Sequence, residues 1–243
     1  MSKAIEIRGL KRRFGDKLAV DIDELSVERG ELLALLGVNG AGKTTTVRML
    51  CGVLPPSEGS AAVEGFDVVT QNAQVKSVVA VSPQETAVAK NLTVRENLEF
   101  IAGIHGADRA EAKRRAAELI SALGLTDEAD RRAKKLSGGM QRRLSIAMAL
   151  ISEPKVLFLD EPTLGLDVLA RRELWRVIEG LRGETAIVLT THYMEEAEAL
   201  ADRVAVMAKG RVKAVGSVAE LLAQTGADKL EDAFVAIAGE GAI

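Results

Sequence analysis

The chain has 243 residues, 47% of them apolar and 28% charged, with a formal net charge of −3. That length buries a sizeable core in one domain, while no run of about 18 apolar residues is present to cross a bilayer as a helix. Basic residues are spread among acidic ones, which leaves no nucleic-acid footprint, and the single cysteine, Cys51, forms no internal disulfide and gives no basis for a zinc cluster. The start, Met1 to Ile7, lacks the basic and apolar stretches of a secretory signal, so the chain is expected to stay inside the cell.

Apolar runs closed by turn residues predict strands over 5–8, 31–36, 61–63, 78–82, 156–159, 186–190 and 204–208. A helix is expected over 45–51, directly after the strand at 31–36, and Cys51 reads as a small buried residue on it. The clearest helix runs over 109–123, where Ala112, Ala116, Leu119, Ile120 and Leu123 share one face. Asp108 and Glu111 give it an N-terminal capping pattern, and Lys113, Arg114 and Arg115 form its solvated face. The section 85–153 is helical and poor in strands, so it reads as an inserted lobe. Alternating strands and helices with a glycine-rich loop after an early strand mean an α/β domain with a largely parallel core. That domain is expected over 1–216, followed by an alanine-rich helical tail over 217–243.

The chemistry begins at Gly37-Val38-Asn39-Gly40-Ala41-Gly42-Lys43-Thr44. Gly40 and Gly42 let the backbone fold closely around phosphates, so that N–H groups and the next helix's N-terminus face negative charge. Lys43 supplies a point charge for β- and γ-phosphates, and the Thr44 hydroxyl can ligate Mg²⁺. Val156 to Leu159 is a buried strand that delivers two acids at its carboxyl end, where ligands meet α/β sheets. Side chains of neighbouring extended residues point apart, so Asp160 and Glu161 take different roles. Asp160 is placed for the Mg²⁺ shell, and Glu161 to polarise a water aimed at the γ-phosphate.

Leu136-Ser137-Gly138-Gly139-Met140, lying between this loop and the two acids, resembles the signature of the ATP-binding cassette (ABC) superfamily. The resemblance covers nearly the whole chain. It implies a P-loop NTPase with a RecA-like mixed or parallel sheet, an N-terminal antiparallel β subdomain and the helical lobe as an inserted subdomain. It also implies ATP and Mg²⁺ as cofactors. The loop from Gly37 through Thr45 binds phosphate, and Phe14 matches the aromatic that stacks on adenine. Gln84 matches the glutamine that contacts Mg²⁺ or the attacking water and senses the membrane partner. Asp167 matches the loop that joins two subunits, and His192 the histidine at the γ-phosphate. Ser137, Gly138 and Gly139 are expected to grip ATP held by a second ABC ATPase subunit, and the complete set of motifs permits a homodimer. His105, Trp175 and Tyr193 match no catalytic position, and Trp175 reads as helix packing.

Met140 in place of the frequent glutamine, Asn91 to Leu98 and Leu230 to Phe234 resemble ATPases of ABC-2 type exporters, including the daunorubicin-resistance group. The expected function is ATP hydrolysis that drives export of a drug, lipid, polysaccharide or ion by separate multi-spanning permease subunits. The chain would sit in the cytoplasm, peripherally on the inner face of the cell membrane. The alternatives are an importer ATPase, or an ABC ATPase acting on ribosomes or nucleic acid.

Overall fold

The computed structural model describes residues 3–183 and 185–239. Strands β1 (Lys3–Phe14) and β2 (Lys17–Glu28) form an antiparallel pair, after which β3 (Leu32–Leu36) enters a second sheet. Helix α1 (Lys43–Leu50) follows, and β4 (Glu58–Val63) and β5 (Phe66–Asp67) return to the first sheet, whose order is β2-β1-β4-β5. Helix α2 (Asn72–Val78) leads into β6 (Val79–Ser82), and α3 (Val94–Ile104), α4 (Arg109–Ala122) and α5 (Gly138–Leu150) come next. The chain then alternates through β7 (Val156–Asp160), α6 (Val168–Glu179), β8 (Ala186–Thr191), α7 (Met194–Leu200) and β9 (Arg203–Ala208). It finishes with β10 (Arg211–Gly216), α8 (Val218–Thr225) and α9 (Leu230–Ala238).

The second sheet has the order β10-β9-β3-β8-β7-β6, parallel throughout except for β10 at its edge. Its central strands β3, β8 and β7 are buried along their whole length and mostly apolar, because helices or the first sheet cover both faces. Val156, Leu157, Phe158 and Leu159 are all fully buried, each contributing about 2 kcal/mol by leaving water. Phe158→Ala would cost about 3–5 kcal/mol through the cavity left behind. Alternate residues face opposite layers: Val156 and Phe158 pack toward the first sheet and α1, Leu157 and Leu159 toward α5 and α6.

Helices α3, α4 and α5 share an apolar cluster of their own, built on Leu98, Ala116, Ile120 and Leu144. Asp108 caps α4 by accepting from the Ala110 and Glu111 N–H groups. Glu111, however, does not complete the cap. Arg114 and Arg115 take its carboxylate, and their hydrogen bonds hold it at about 2. The tail packs on the core, with Leu221, Leu230 and Phe234 buried against Val204, Val206 and Ala197. Residues 240–243 lie outside those described.

Three strands escape the sequence pattern. In β2 the phase of alternation slips at Asp23-Glu24, which separates the buried set Val20 and Ile22 from Leu25 and Val27. β5 is only two residues long, and β10 is a half-exposed edge rich in charge. Boundaries also shift: Val78 ends α2, Glu31 precedes β3, and α1 begins at Lys43 rather than Thr45. Cys51 caps the end of α1, and burial pushes its thiol up to about 12, which leaves it inert.

Candidate functional site

Four neighbouring parallel strands, β3-β8-β7-β6, end side by side, and each carries a site residue just past its carboxyl end. The loop to Lys43 follows β3, His192 follows β8, Asp160 ends β7 with Glu161 next, and Gln84 follows β6. Residues far apart in the chain thus converge because the strand order brings them together. The cleft at this edge has a volume of about 790 Å³. Of the residues singled out from sequence, it is lined by Phe14, Asn39, Gly40, Ala41, Gly42, Lys43, Thr44, Thr45, Gln84, Glu161 and His192.

The glycine loop needs its glycines for two different reasons. Gly42 has φ of 107°, and a Cβ there would meet Met207 Cε at 2.9 Å and the Ala19 carbonyl oxygen at 3.0 Å. At Gly37 a Cβ would stand 2.4 Å from the Met207 carbonyl oxygen, so the close approach of β9 requires its absence. Gly37 and Val38 turn their carbonyls onto Lys43, whose Nζ donates to them at 2.6 and 3.3 Å. The same Nζ lies 3.0 Å from Glu161 Oε1, and both side chains are 6% exposed.

Asp160 and Glu161 diverge as expected, through a feature the sequence does not announce. Glu161 has a positive φ of 48°, a left-handed conformation uncommon for a side chain of this size. Its N–H is held by the Thr190 carbonyl and hydroxyl, at 3.1 and 3.0 Å. This twist at the strand end turns Glu161 into the cleft, where Oε2 lies 2.7 Å from His192 Nδ1. Asp160 stays behind the cleft wall and bonds the hydroxyls of Thr44, at 3.1 and 3.2 Å, and Thr190, at 2.5 Å. The Asp160 carboxylate and the Thr44 hydroxyl in contact with it are hard oxygen donors, the kind that suits Mg²⁺, and Gln84 lines the same cleft.

Phe14 is 49% exposed on the far wall of the cleft. The Arg12 guanidinium lies over its ring, 4.7 Å from the centroid, while Arg12 Nη1 donates to the Pro55 carbonyl at 2.7 Å. Lys17, Leu18, Ala19, Leu164, Lys209 and Gly210 complete the lining. The first three could have been found by recognising β2 and its turn from β1.

Ser137, Gly138, Gly139 and Asp167 do not line this cleft. Ser137 caps α5 by accepting from the Met140 N–H, and Asp167 caps α6 by accepting from Ala170 N–H. The two helix starts are neighbours, since a Cβ on Gly139 would lie 3.3 Å from that of Ala170. Ser137 and Gly138 are exposed.

Two buried polar residues were not signalled by the sequence. Arg142 donates to the carbonyls of Pro83 and Gln84, both at 2.5 Å. Burial pulls its guanidinium down from the ordinary value, against the pull of Asp160 and Glu196. Glu196 is fully buried, and burial raises its carboxyl. Trp175 Nε1 donates to Oε1 of Glu196 at 3.2 Å, which gives that helix-packing tryptophan a partner. The Thr191 and Thr163 hydroxyls also favour the charged form, although Oε2 finds no partner with full hydrogen-bond geometry. The Tyr193 ring lies 4.1 Å from that of His192, tilted by 38°, with the Arg171 guanidinium over it at 4.3 Å, and His105 caps the end of α3.

The ABC transporter profile matches residues 20–164. The chain belongs to the ABC transporter family. This ABC subunit is 44% identical over 229 residues to the daunorubicin resistance ATP-binding protein DrrA3 of Streptomyces coeruleorubidus, covering 94% of the chain and 72% of that relative. It is 37% identical to the linearmycin resistance ATP-binding protein LnrL of Bacillus subtilis (strain 168), covering 93% of the chain and 73% of that relative. A solved structure of an ATP binding subunit of an ABC transporter superposes with a TM-score of 0.84 at 29% identity, covering 97% of this chain and 100% of that one. The ABC subunit has the expected P-loop NTPase fold and is an ATP-binding ATPase component. Among the described residues, no helix is long and apolar enough to cross a membrane.

Proposed function

We propose that this ABC subunit hydrolyses ATP to drive export of a drug-like or lipid-like amphiphile through separate multi-spanning permease subunits, docked on the inner face of the cell membrane. The resistance functions named for DrrA3 and LnrL support export over import. The observation that carries the catalytic reading is the shared carboxylate of Glu161, held between Lys43 and His192 at 3.0 and 2.7 Å.

In this reading residues 1–216 are the ATPase domain, with 85–153 as its helical subdomain and 217–243 as the tail. Phe14 stacks on adenine, and the loop from Gly37 to Thr45 encloses the phosphates with its N–H groups. Thr44, Asp160 and Gln84 would hold Mg²⁺, which would supply positive charge to neutralise the phosphates. Glu161 accepts the proton of the attacking water, and His192 fixes that carboxylate and faces the γ-phosphate. Ser137, Gly138 and Gly139 of a second copy close over the γ-phosphate, with Asp167 at the join. The exposure of the Ser137 cap, away from its own cleft, supports that assignment. Closure excludes bulk water and pulls on the permease, and loss of the γ-phosphate contacts reopens the pair.

Affinity isolation from solubilised membranes tests the transport reading. A multi-spanning membrane protein is expected to copurify in stable proportion. Recovery with ribosomes or nucleic acid alone would overturn it.

A further inference from the structure

We infer that Arg142 is a positioning residue that ties the Gln84 segment of one catalytic half to the helix whose N-terminus, at Ser137, closes over the partner copy's ATP. This deepens the proposed split-site ATPase and rests on it.

Arg142 sits just over one turn into α5 and is 4% exposed. Its two terminal nitrogens reach two successive main-chain carbonyls, those of Pro83 and Gln84, at 2.5 Å each. Three residues further along the same helix face, Ser145 Oγ shares a buried hydrogen bond of 3.0 Å with Ser82 Oγ. Ser82, Pro83 and Gln84, which end β6 and enter the cleft, are therefore each held by a side chain of α5. Among the described residues the guanidinium makes no ion pair.

A buried cation satisfied by neutral carbonyls is a costly way to fill space, and an apolar side chain would fill it without that desolvation. What the guanidinium adds is geometric. Its planar fork fixes two carbonyls in one orientation, which a flexible ammonium cannot do. The Gln84 side chain lines the cleft while its carbonyl is held from behind by Arg142. A shift of Gln84 toward a phosphate-bound shell is thereby passed to α5, which moves as a rigid element with Ser137 at its tip. ATP in one half then favours closure over the other, so the two halves are coupled through this contact.

The test compares Arg142→Gln and Arg142→Lys, alone and in a Glu161→Gln background. Three readouts are taken: fluorescent ATP-analogue affinity of the dilute single chain, ATP-driven pairing by analytical ultracentrifugation, and the cooperativity of steady-state hydrolysis. Arg142→Gln is expected to leave single-chain affinity within about twofold, weaken pairing about tenfold and abolish cooperativity, the scale expected for losing a charged hydrogen bond. Arg142→Lys should recover part of the pairing. Unchanged pairing and cooperativity in Arg142→Gln would overturn the role, as would a loss of single-chain affinity equal to the loss of pairing. Should Arg142→Gln not fold, Ser145→Ala carries the test: weaker pairing at unchanged affinity supports the clamp, and unchanged pairing overturns it. An unsubstituted chain that neither binds nor hydrolyses ATP would instead remove the ATPase reading beneath it.

Discussion

Lys43 and Glu161 form a buried ion pair, 3.0 Å between Nζ and Oε1, inside the cleft wall. The cation proposed to bind phosphate and the proposed base thus share a contact, and in that reading a phosphate oxygen that draws the ammonium away would uncover Oε1 for water. Lys43→Ala is expected to weaken ATP affinity by about 10²-fold or more and to lower the melting midpoint, since a buried pair missing one partner costs about 3–5 kcal/mol. Glu161→Gln should keep ATP affinity and slow turnover about 10²-fold or more. In the double variant most of the lost midpoint returns, because no orphaned carboxylate remains. Nucleotide titration, steady-state rates and calorimetry read these effects. Unchanged affinity in Lys43→Ala would remove the lysine from phosphate binding, and near-normal turnover in Glu161→Gln would remove the glutamate from water activation.

Separation of Ser137 from its own cleft gives a complementation experiment. Chains carrying Ser137→Ala and chains carrying Lys43→Ala should each be nearly inactive alone. When mixed, half-sites pair across the two chains and one intact site forms in every mixed pair. Turnover is therefore expected to reappear on mixing. A mixture no more active than its parts would argue that Ser137 serves the cleft of its own chain.

Phe14 presents its ring with Arg12 held against it at 4.7 Å. Phe14→Ala should raise the KM for ATP about tenfold with kcat little changed, as stacking on a base contributes about 1–3 kcal/mol. Phe14→Tyr should behave like the parent. A fall in kcat with KM constant would place Phe14 outside base recognition.

Glu196 makes stability depend on pH in a definite direction. Burial raises its carboxyl above the ordinary value of 4.5. Below that value both folded and unfolded chains hold the proton and the residue carries no ionisation cost. As pH rises the unfolded chain ionises first, so the stability contributed by the neutral carboxyl is lost as pH climbs through the folded value. Glu196→Gln, which cannot ionise, should melt close to the parent near pH 4 and higher than it at pH 8, by about 2–4 °C per kcal/mol gained. Melting curves across that range check it, and a gap that does not widen with pH would rule the mechanism out.

Much of the molecule is legible from its residues. The buried strands at Leu32–Leu36 and Val156–Asp160 announce themselves by the apolar runs 32–36 and 156–159, and the glycine loop by its spacing. Less legible are the places where side-chain chemistry misleads. Arg142 lies in a run of polar residues that reads as a solvated helix face, yet it turns inward to find two carbonyls. Glu196 lies within Glu195-Glu196-Ala197-Glu198, and only its place on the face of α7 turned toward Trp175 buries it, while Glu195 and Glu198 stay exposed. Periodicity reports which residues are apolar. It carries no information about which polar ones are enclosed by partners remote in the chain.

The left-handed backbone at Glu161 bears on how this protein would respond to selection in the laboratory. Holding a glutamate at positive φ costs about 1–3 kcal/mol, and glycine at that position would release the strain. That gain is smaller than the loss of about 3–5 kcal/mol when Lys43 is left as a buried cation without its partner, so a screen for heat resistance alone would not favour glycine there. Selection for stability and selection for turnover thus act in the same direction at this one position.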